Sequence, residues 1–212
     1  MSSYKVNFIK DKEVIILGDG NNSIWKKANG LTNFSSPWDN KPVKKIEFKA
    51  IHNSEKIFFQ FKVDDDQTHV HASDDKKDSI NSSDRVELFF RSDAALDPYY
   101  CLEIDTTARI MDFQARPNRV FDFNWNWPSK DIVVKASVNK DHFIVEIAIS
   151  LQSLKDLNLL KEGCIETGIY RAKYNKQEDT SFEPTWITWV NPNTPTPDFH
   201  TSTSFGLLEL EY

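Results

Sequence analysis

The chain has 212 residues, of which 39% are hydrophobic and 27% are charged, and its formal net charge is -6. This length and balance are typical of one folded domain of a soluble globular protein. The negative charge argues against a nucleic-acid-binding protein, which needs a cationic surface, and no apolar run is long enough to span a membrane. The first residues carry no signal-peptide pattern, so the sequence indicates an intracellular protein or one whose leader has been removed.

Alternation of apolar and polar residues runs along most of the chain and predicts about ten β-strands. In chain order, the predicted strands are 13–17, 43–51, 57–63, 85–91, 99–105, 109–115, 132–138, 143–148, 166–175 and 205–210. Helix signals are few: Ser150 can cap a short helix from 151 to about 159, and Ser23 can cap one turn over 24–28. Strands without a strand-helix rhythm predict an all-β sandwich or barrel and argue against a parallel α/β sheet.

Two long connections, 64–84 and 176–203, interrupt the strand pattern. Connections of this length in a compact domain are usually functional or disordered. The second one contains Trp186 and Trp189, which fit disorder poorly, so it is the first place to look for a binding site.

A series of short motifs resembles a known family when it is taken in order. The motifs are WKKA at 25–28, IFFQFKVDD at 57–65, DRVELFF at 84–90, YYCLEID at 99–105, VEIAI at 145–149, WITWV at 186–190, PDFH at 197–200 and SFG at 204–206. This order is similar to the family 9 carbohydrate-binding modules and their bacterial relatives, over about 25–210. The resemblance implies one domain over 1–212 with a jelly-roll-like antiparallel β-sandwich fold. It also implies binding of plant polysaccharide or its oligosaccharides, of the xylan or cellulose type, and a structural calcium ion.

Some modules of the family grip a terminal sugar between two tryptophan rings, and here the chain departs from the pattern. The family's first tryptophan precedes the DRVE-like strand, but 78–83 contains no aromatic residue. The second tryptophan is matched by Trp189 or Trp186. A different residue must therefore supply the missing face, or the ligand differs.

Three tryptophans are candidates for stacking on the apolar face of a sugar ring. Trp189 and Trp186 lie three residues apart in the second long connection, and Trp127 alternates with asparagine in NWNW at 124–127. An extended backbone would turn Trp186 and Trp189 to opposite faces, so that one could belong to the core. Trp127 could equally close one end of the sandwich.

Five polar residues are candidates for binding sugar hydroxyl groups: Arg85, Asp84, Asn191, His200 and Arg171. A guanidinium presents five fixed donors that suit neighbouring hydroxyls. The alternative for Arg85 is a cross-strand ion pair with Glu103 or Asp105, and Arg171 is open to the same ambiguity. His200 could instead hydrogen-bond within its own loop.

Metal and cysteine patterns are weaker. Asp64 and Asp65 could supply oxygen ligands to calcium, although a solvated charge run is the plainer interpretation. Cys101 and Cys164 can form at most one bridge and are expected to be free thiols.

Three functions remain open at this point. The first is non-catalytic binding of a mono- or oligosaccharide by a domain without nucleic-acid or membrane partners, with a monomer as the expected state. The second is a xylanase-like glycoside hydrolase, for which Glu87 and Glu103 would be the two carboxylates. The third is a protein-interaction sandwich whose tryptophan-bearing loop contacts another chain.

Overall fold

The computed structural model describes residues 2–10, 13–39, 41–72 and 74–211, and these contain thirteen strands and two α-helices. The strands are β1 (Ser3–Phe8), β2 (Ile46–His52), β3 (Lys56–Asp64), β4 (Arg85–Arg91), β5 (Tyr99–Asp105), β6 (Ile110–Arg116), β7 (Val120–Asp122), β8 (Ile132–Val138), β9 (His142–Ser150), β10 (Leu160–Lys161), β11 (Cys164–Lys176), β12 (Phe182–Thr188) and β13 (Gly206–Leu210). The helices are α1 (Lys77–Asn81) and α2 (Leu151–Asp156), with 3-10 turns at Ser23–Lys27, Pro117–Arg119 and Ser202–Ser204. None of the helices among the described residues is long and apolar enough to cross a membrane.

The strands form two layers joined at β1. The first layer has the order β7-β6-β5-β4-β11-β13, with β10 and β12 also paired to β11, and the second has the order β2-β3-β9-β8. β1 pairs with β13 on one side and with β2 on the other, in parallel in both cases. The predicted all-β sandwich is confirmed, and β1 is the strand that departs from antiparallel pairing.

The hydrophobic core lies between the layers because each strand turns alternate side chains inward. On β4, the inward residues are Val86, Leu88 and Phe90, none of which is measurably exposed. The ring of Phe90 lies 6.3 Å from that of Phe59 on β3, and this contact spans the two layers. Arg85 and Glu87 on β4 therefore point to the outer face, where the candidate site is found.

Four strands were not predicted from the alternation: β1, β7, β10 and β12. β12 falls in the second long connection and contains Pro184, which cannot donate a ladder hydrogen bond. It is tolerated because β12 is an edge strand: β11 pairs along one side of it, and the other side has just an isolated bridge between Thr188 and Ser35 among the described residues.

The predicted strand at 13–17 is wrong. The backbone N–H groups of Leu17 and Gly18 donate to the Glu146 carboxylate, at 3.0 and 2.7 Å, instead of to a neighbouring strand. Ile16 is buried and Val14 is partly buried against the same cluster, while Ile15 and Leu17 are largely exposed. The alternation was real, but the segment lies across the second layer as a loop.

The predicted helix after Ser150 forms as α2 but ends at Asp156, before the predicted end near 159, and the Ser150 hydroxyl accepts from the Ser153 N–H at 3.0 Å. The predicted turn near Ser23 also forms, but its capping residue is Asn22. Cys101 and Cys164 are free thiols, as expected.

Candidate functional site

A cavity of about 520 Å³ opens on the outer face of the first layer. Its floor consists of side chains from β4, β5 and β6. One wall is formed by α1 and the segment around β7, and the opposite wall by β12 and the 197–200 loop. Because neighbouring antiparallel strands place directly paired residues on the same face, the floor is an ordered row of side chains.

Three charged residues occupy the floor. Glu87 on β4 pairs directly with Glu103 on β5, and Arg85 precedes Glu87 by one outward position. Arg85 Nε lies 2.9 Å from Glu87 Oε1 and 2.6 Å from Glu103 Oε2. All three side chains are at most 5% exposed. The cross-strand ion pair that the sequence left open for Arg85 is therefore present, and it is shared by two carboxylates.

Sharing one guanidinium between two carboxylates changes their acidity. Burial, together with the nearby Glu103 carboxylate, raises the pKa of Glu87 to about 8, although Arg85 opposes the shift. Burial also raises the pKa of Glu103, again against the effect of Arg85. Two buried like charges with one counter-charge cannot both be stabilised, so the floor retains a proton near neutral pH.

This proton predicts a pH dependence of stability. A carboxyl with a raised pKa stabilises the fold at low pH and loses that contribution as the pH rises through the folded-state value. The window starts at about pH 6.5, the ordinary pKa of histidine, so that histidine titration does not mask the effect. Between pH 6.5 and the Glu87 pKa of about 8, we expect the free energy of unfolding to fall by about 1–2 kcal/mol. Urea unfolding across this range measures it. Glu87→Gln should flatten the slope and exposed Glu178→Gln should keep it; equal slopes in wild type and Glu87→Gln would contradict the assignment.

Aromatic rings form the walls. Trp186 on β12 is half-buried, with its ring 5.6 Å from the Arg85 guanidinium carbon. On the opposite wall are Phe121 and Phe123, and the Phe123 side chain is 46% exposed. Sugar rings stack on flat aromatic faces of this kind. The face that 78–83 fails to provide can thus come from 121–123.

Charged groups also surround the mouth. Lys77 Nζ donates to the backbone oxygens of Asp112 and Phe123, at 2.7 and 2.6 Å. Arg119 forms an ion pair of 2.8 Å with Asp198 on the opposite wall. The Arg119–Asp198 pair connects the two walls, whereas Lys77 holds α1 against β6 and the segment after β7.

His200 lines the cavity but is held in place by its own contacts. Its Nδ1 is 2.9 Å from the Tyr99 hydroxyl, and its ring packs 5.0 Å from that of Phe121. Burial, assisted by Arg119, lowers the pKa of His200 to about 4. The imidazole is therefore neutral at physiological pH, and its loop-fixing contacts agree with the plainer of the two interpretations.

Two predicted stacking residues do not reach the cavity. Trp189 is 6% exposed and lies in the core against Gly206, where an added Cβ would come 2.5 Å from the indole ring. Trp127 is 3% exposed, and its Nε1 donates to the Ser153 hydroxyl at 3.1 Å. The prediction of both as binding residues is corrected, because neither ring has an open face.

Three predicted polar residues also lie elsewhere. Arg171 and Asp84 are buried with Lys173 and Asp65 in an ion-pair network at one end of the sandwich. Asn191 is exposed and accepts from the Asn193 N–H at 2.8 Å, which is a turn contact outside the cavity lining. Of the eight predicted ligand-binding residues, Trp186, Arg85 and His200 are the ones that the cavity brings together.

The proposed calcium ligands do not fit a calcium site. Asp65 is 1% exposed and contacts Arg171 and Lys173, so two protein cations already compensate its charge. Asp64 is exposed at the end of β3. No group of three or more His, Cys, Asp or Glu side chains in the described part of the chain is arranged to hold a metal ion.

Sequence reasoning missed Phe121, Phe123, Lys77 and Arg119 as lining residues. The alternation of Phe121 and Phe123 around Asp122 was a detectable signal, but the strand is only three residues long. Lys77 and Arg119 gave no signal, because only the fold brings α1 and the 3-10 turn before β7 to the same cavity.

A second cavity of about 630 Å³ lies on the outer face of the second layer. Its lining contains Trp25, which is 3% exposed and donates from Nε1 to Glu146 at 2.7 Å. Among the described residues that line it, none is an exposed tryptophan, tyrosine or phenylalanine. The cavity beside Arg85 is therefore the better candidate site.

The fold and this aromatic-walled, polar-floored cavity define a β-sandwich domain of the carbohydrate-binding-module type. The family described as carbohydrate family 9 binding domain-like matches residues 16–212, and the chain belongs to this family. No curated protein matches the sequence.

Solved structures agree with the fold. A candidate carbohydrate-binding protein from Bacteroides uniformis superposes with a TM-score of 0.75 at 16% identity, over 99% of each chain. A family 9 module from Caldicellulosiruptor kristjanssonii, in complex with glucose, superposes with a TM-score of 0.65 at 13% identity, over 99% of this chain and 96% of that one. The same kind of module in complex with cellotriose gives 0.64 at 13% identity, over 99% and 94%. At these identities the likeness establishes the fold.

Proposed function

We propose that this chain is a non-catalytic domain that binds a mono- or oligosaccharide of the xylan or cellulose type in the cavity beside Arg85. The observation that carries the proposal is the half-buried Trp186 ring, which borders a floor of hydrogen-bonding side chains. A pyranose has an apolar face for the ring and hydroxyls for Arg85, Glu87 and Glu103. Two structural relatives were solved with glucose and cellotriose, which supports this ligand class.

The floor geometry favours binding over glycoside hydrolysis. A glycosidase needs two carboxylates that flank one bond, one as acid and one as base or nucleophile. Glu87 and Glu103 lie side by side on adjacent strands and contact the same Arg85 nitrogen. A sugar above the floor would have both carboxylates on the same side, so they would not flank a glycosidic bond.

The cavity shape also favours a small ligand over a protein partner. A protein interface needs a broad, exposed apolar patch. The aromatic walls here stand above a charged floor, and the mouth carries Lys77 and the Arg119–Asp198 pair. A polar-rimmed cavity of this kind suits a molecule of sugar size.

Trp186→Ala should weaken sugar binding about tenfold or more, since it removes the stacking face while the floor remains. Isothermal titration calorimetry with glucose, xylose, cellobiose, cellotriose and xylotriose measures this and identifies the preferred sugar.

Phe182→Ala is the matched control. Phe182 lies on the same strand, is 37% exposed and stacks on His69 with ring centroids 3.6 Å apart, outside the cavity lining. The affinity of the Phe182→Ala variant for the sugar should equal that of wild type. A folded wild type that binds none of these sugars, or a Trp186→Ala variant with unchanged affinity, would refute the proposal.

A further inference from the structure

The cavity lining has an excess of acidic groups over cationic groups. Three cationic side chains and four carboxylates line it, and the neutral His200 adds nothing. At the mouth, Arg119 and Asp198 neutralise each other at 2.8 Å. Lys77 is the remaining cation there, and Asp78 is an exposed carboxylate close to it in sequence. The excess therefore belongs to the floor.

On the floor, two carboxylates face one guanidinium. Glu87 is 1% exposed and Glu103 is 4% exposed, so water screens neither of them well. Glu87 Oε1 and Glu103 Oε2 accept no hydrogen bond within the described residues, although each lies within ion-pair distance of Arg85 Nε. Buried carboxylate oxygens that share one poorly aligned donor are costly, and a ligand that brings donors and positive charge would relieve that cost.

The walls suit such a ligand. The faces of Trp186, Phe121 and Phe123 carry partial negative charge, which attracts a cation. The wall of Phe121 and Phe123 and the wall of Trp186 stand on opposite sides of the charged floor. A ring that stacks on either wall would lie in the same cavity as Glu87 and Glu103.

We propose that the preferred ligand of this cavity is an amino sugar, a pyranose that carries a protonated primary amine, with its ammonium group against Glu87 and Glu103. This inference rests on the proposed function and narrows its ligand class. The ammonium supplies up to three hydrogen-bond donors and one positive charge, which suits two carboxylates that share a single guanidinium.

The acidity of the floor agrees with this assignment. Near neutral pH the free site keeps a proton on the carboxylate pair, as the raised pKa of Glu87, about 8, indicates. An ammonium group takes the place of that proton. Binding of an amino sugar should therefore release a proton, whereas binding of a neutral sugar should not.

Calorimetry at pH 7.5 with glucosamine, glucose and N-acetylglucosamine tests the proposal. Glucosamine should bind about tenfold more tightly than the other two. Repeating the titration at pH 6.5, where the amine of free glucosamine is protonated and Glu87 still holds its proton, in two buffers with different ionisation enthalpies should reveal the proton that the floor releases on binding. N-acetylglucosamine keeps the nitrogen but not the charge, so equal affinity for it and glucosamine would overturn the proposal.

Variants distinguish the effect of the floor's carboxylate charge from the effect of the cavity's shape. In Glu103→Gln, the ratio of glucosamine to glucose affinity should fall close to one; Glu87→Gln should behave alike and serves if Glu103→Gln does not fold. Asp122→Asn changes a carboxylate between Phe121 and Phe123 that is not part of the lining, and it should keep the wild-type ratio. If no sugar binds, the proposed function fails as well; if glucose binds as tightly as glucosamine, only this inference fails.

Discussion

Asp65→Asn should lower the free energy of unfolding by about 3–5 kcal/mol, because it leaves a buried guanidinium without its counter-charge. Arg171 is 2% exposed and has Asp65 as its ion-pair contact among the described residues. Lys173 bridges Asp65 and Asp84 at 3.0 and 2.9 Å. An asparagine can accept hydrogen bonds from these groups but cannot neutralise them. Equilibrium unfolding in urea at pH 7 measures the change.

The control for this variant is its neighbour. Asp64 is exposed at the end of β3, and Asp64→Asn should change stability by less than about 0.5 kcal/mol. Similar effects of the two substitutions would contradict the buried network. Because Asp65 joins the end of β3 to β11, the loss should affect the whole fold and not only the adjoining loop.

Arg85→Met should destabilise the protein by about 3–5 kcal/mol at pH 7.5, because the carboxylate that stays ionised beside its protonated neighbour then has no cation near it. The effect should be smaller at pH 5, where Glu87 and Glu103 can be neutralised by protons. Thermal and urea unfolding at both pH values test this.

Rescue provides the sharper test for Arg85. Adding Glu87→Gln and Glu103→Gln to Arg85→Met removes the unpaired charges and should recover most of the lost stability. Arg116→Met, at a pair with Asp97 in which both side chains are more than half exposed, should cost at most about 1 kcal/mol. A destabilisation that is equal at both pH values and is not reversed by the two glutamine substitutions would indicate that Arg85 acts through packing alone.

The sequence predicted the layers of the fold better than the composition of the site. Val86, Leu88 and Phe90 alternate with Arg85 and Glu87, so the inward and outward faces of β4 followed directly. The connection that holds β12 was harder, since Pro184 weakens any strand signal and only pairing with β11 shows that the segment is extended.

The tryptophans show where prediction of the binding residues from the sequence ends. Trp186 and Trp189 are three residues apart, and their spacing indicated that one could be buried and one open. Which one was buried depended on Gly206, whose missing side chain makes room for the Trp189 ring. That contact joins residues 17 positions apart and leaves no trace in local spacing.

By itself, the sequence determined the all-β class, the inward and outward faces of the central strands, the α2 cap at Ser150 and the family resemblance. These depend on periodicity and on side chains close in the chain, which a sequence displays directly. Only the tertiary structure decided that Glu87 and Glu103 share Arg85, that Phe121 and Phe123 face Trp186, and that Arg171 and Asp84 belong to a buried network. Burial and charge pairing depend on which strands become neighbours, and that is settled when the two layers pack.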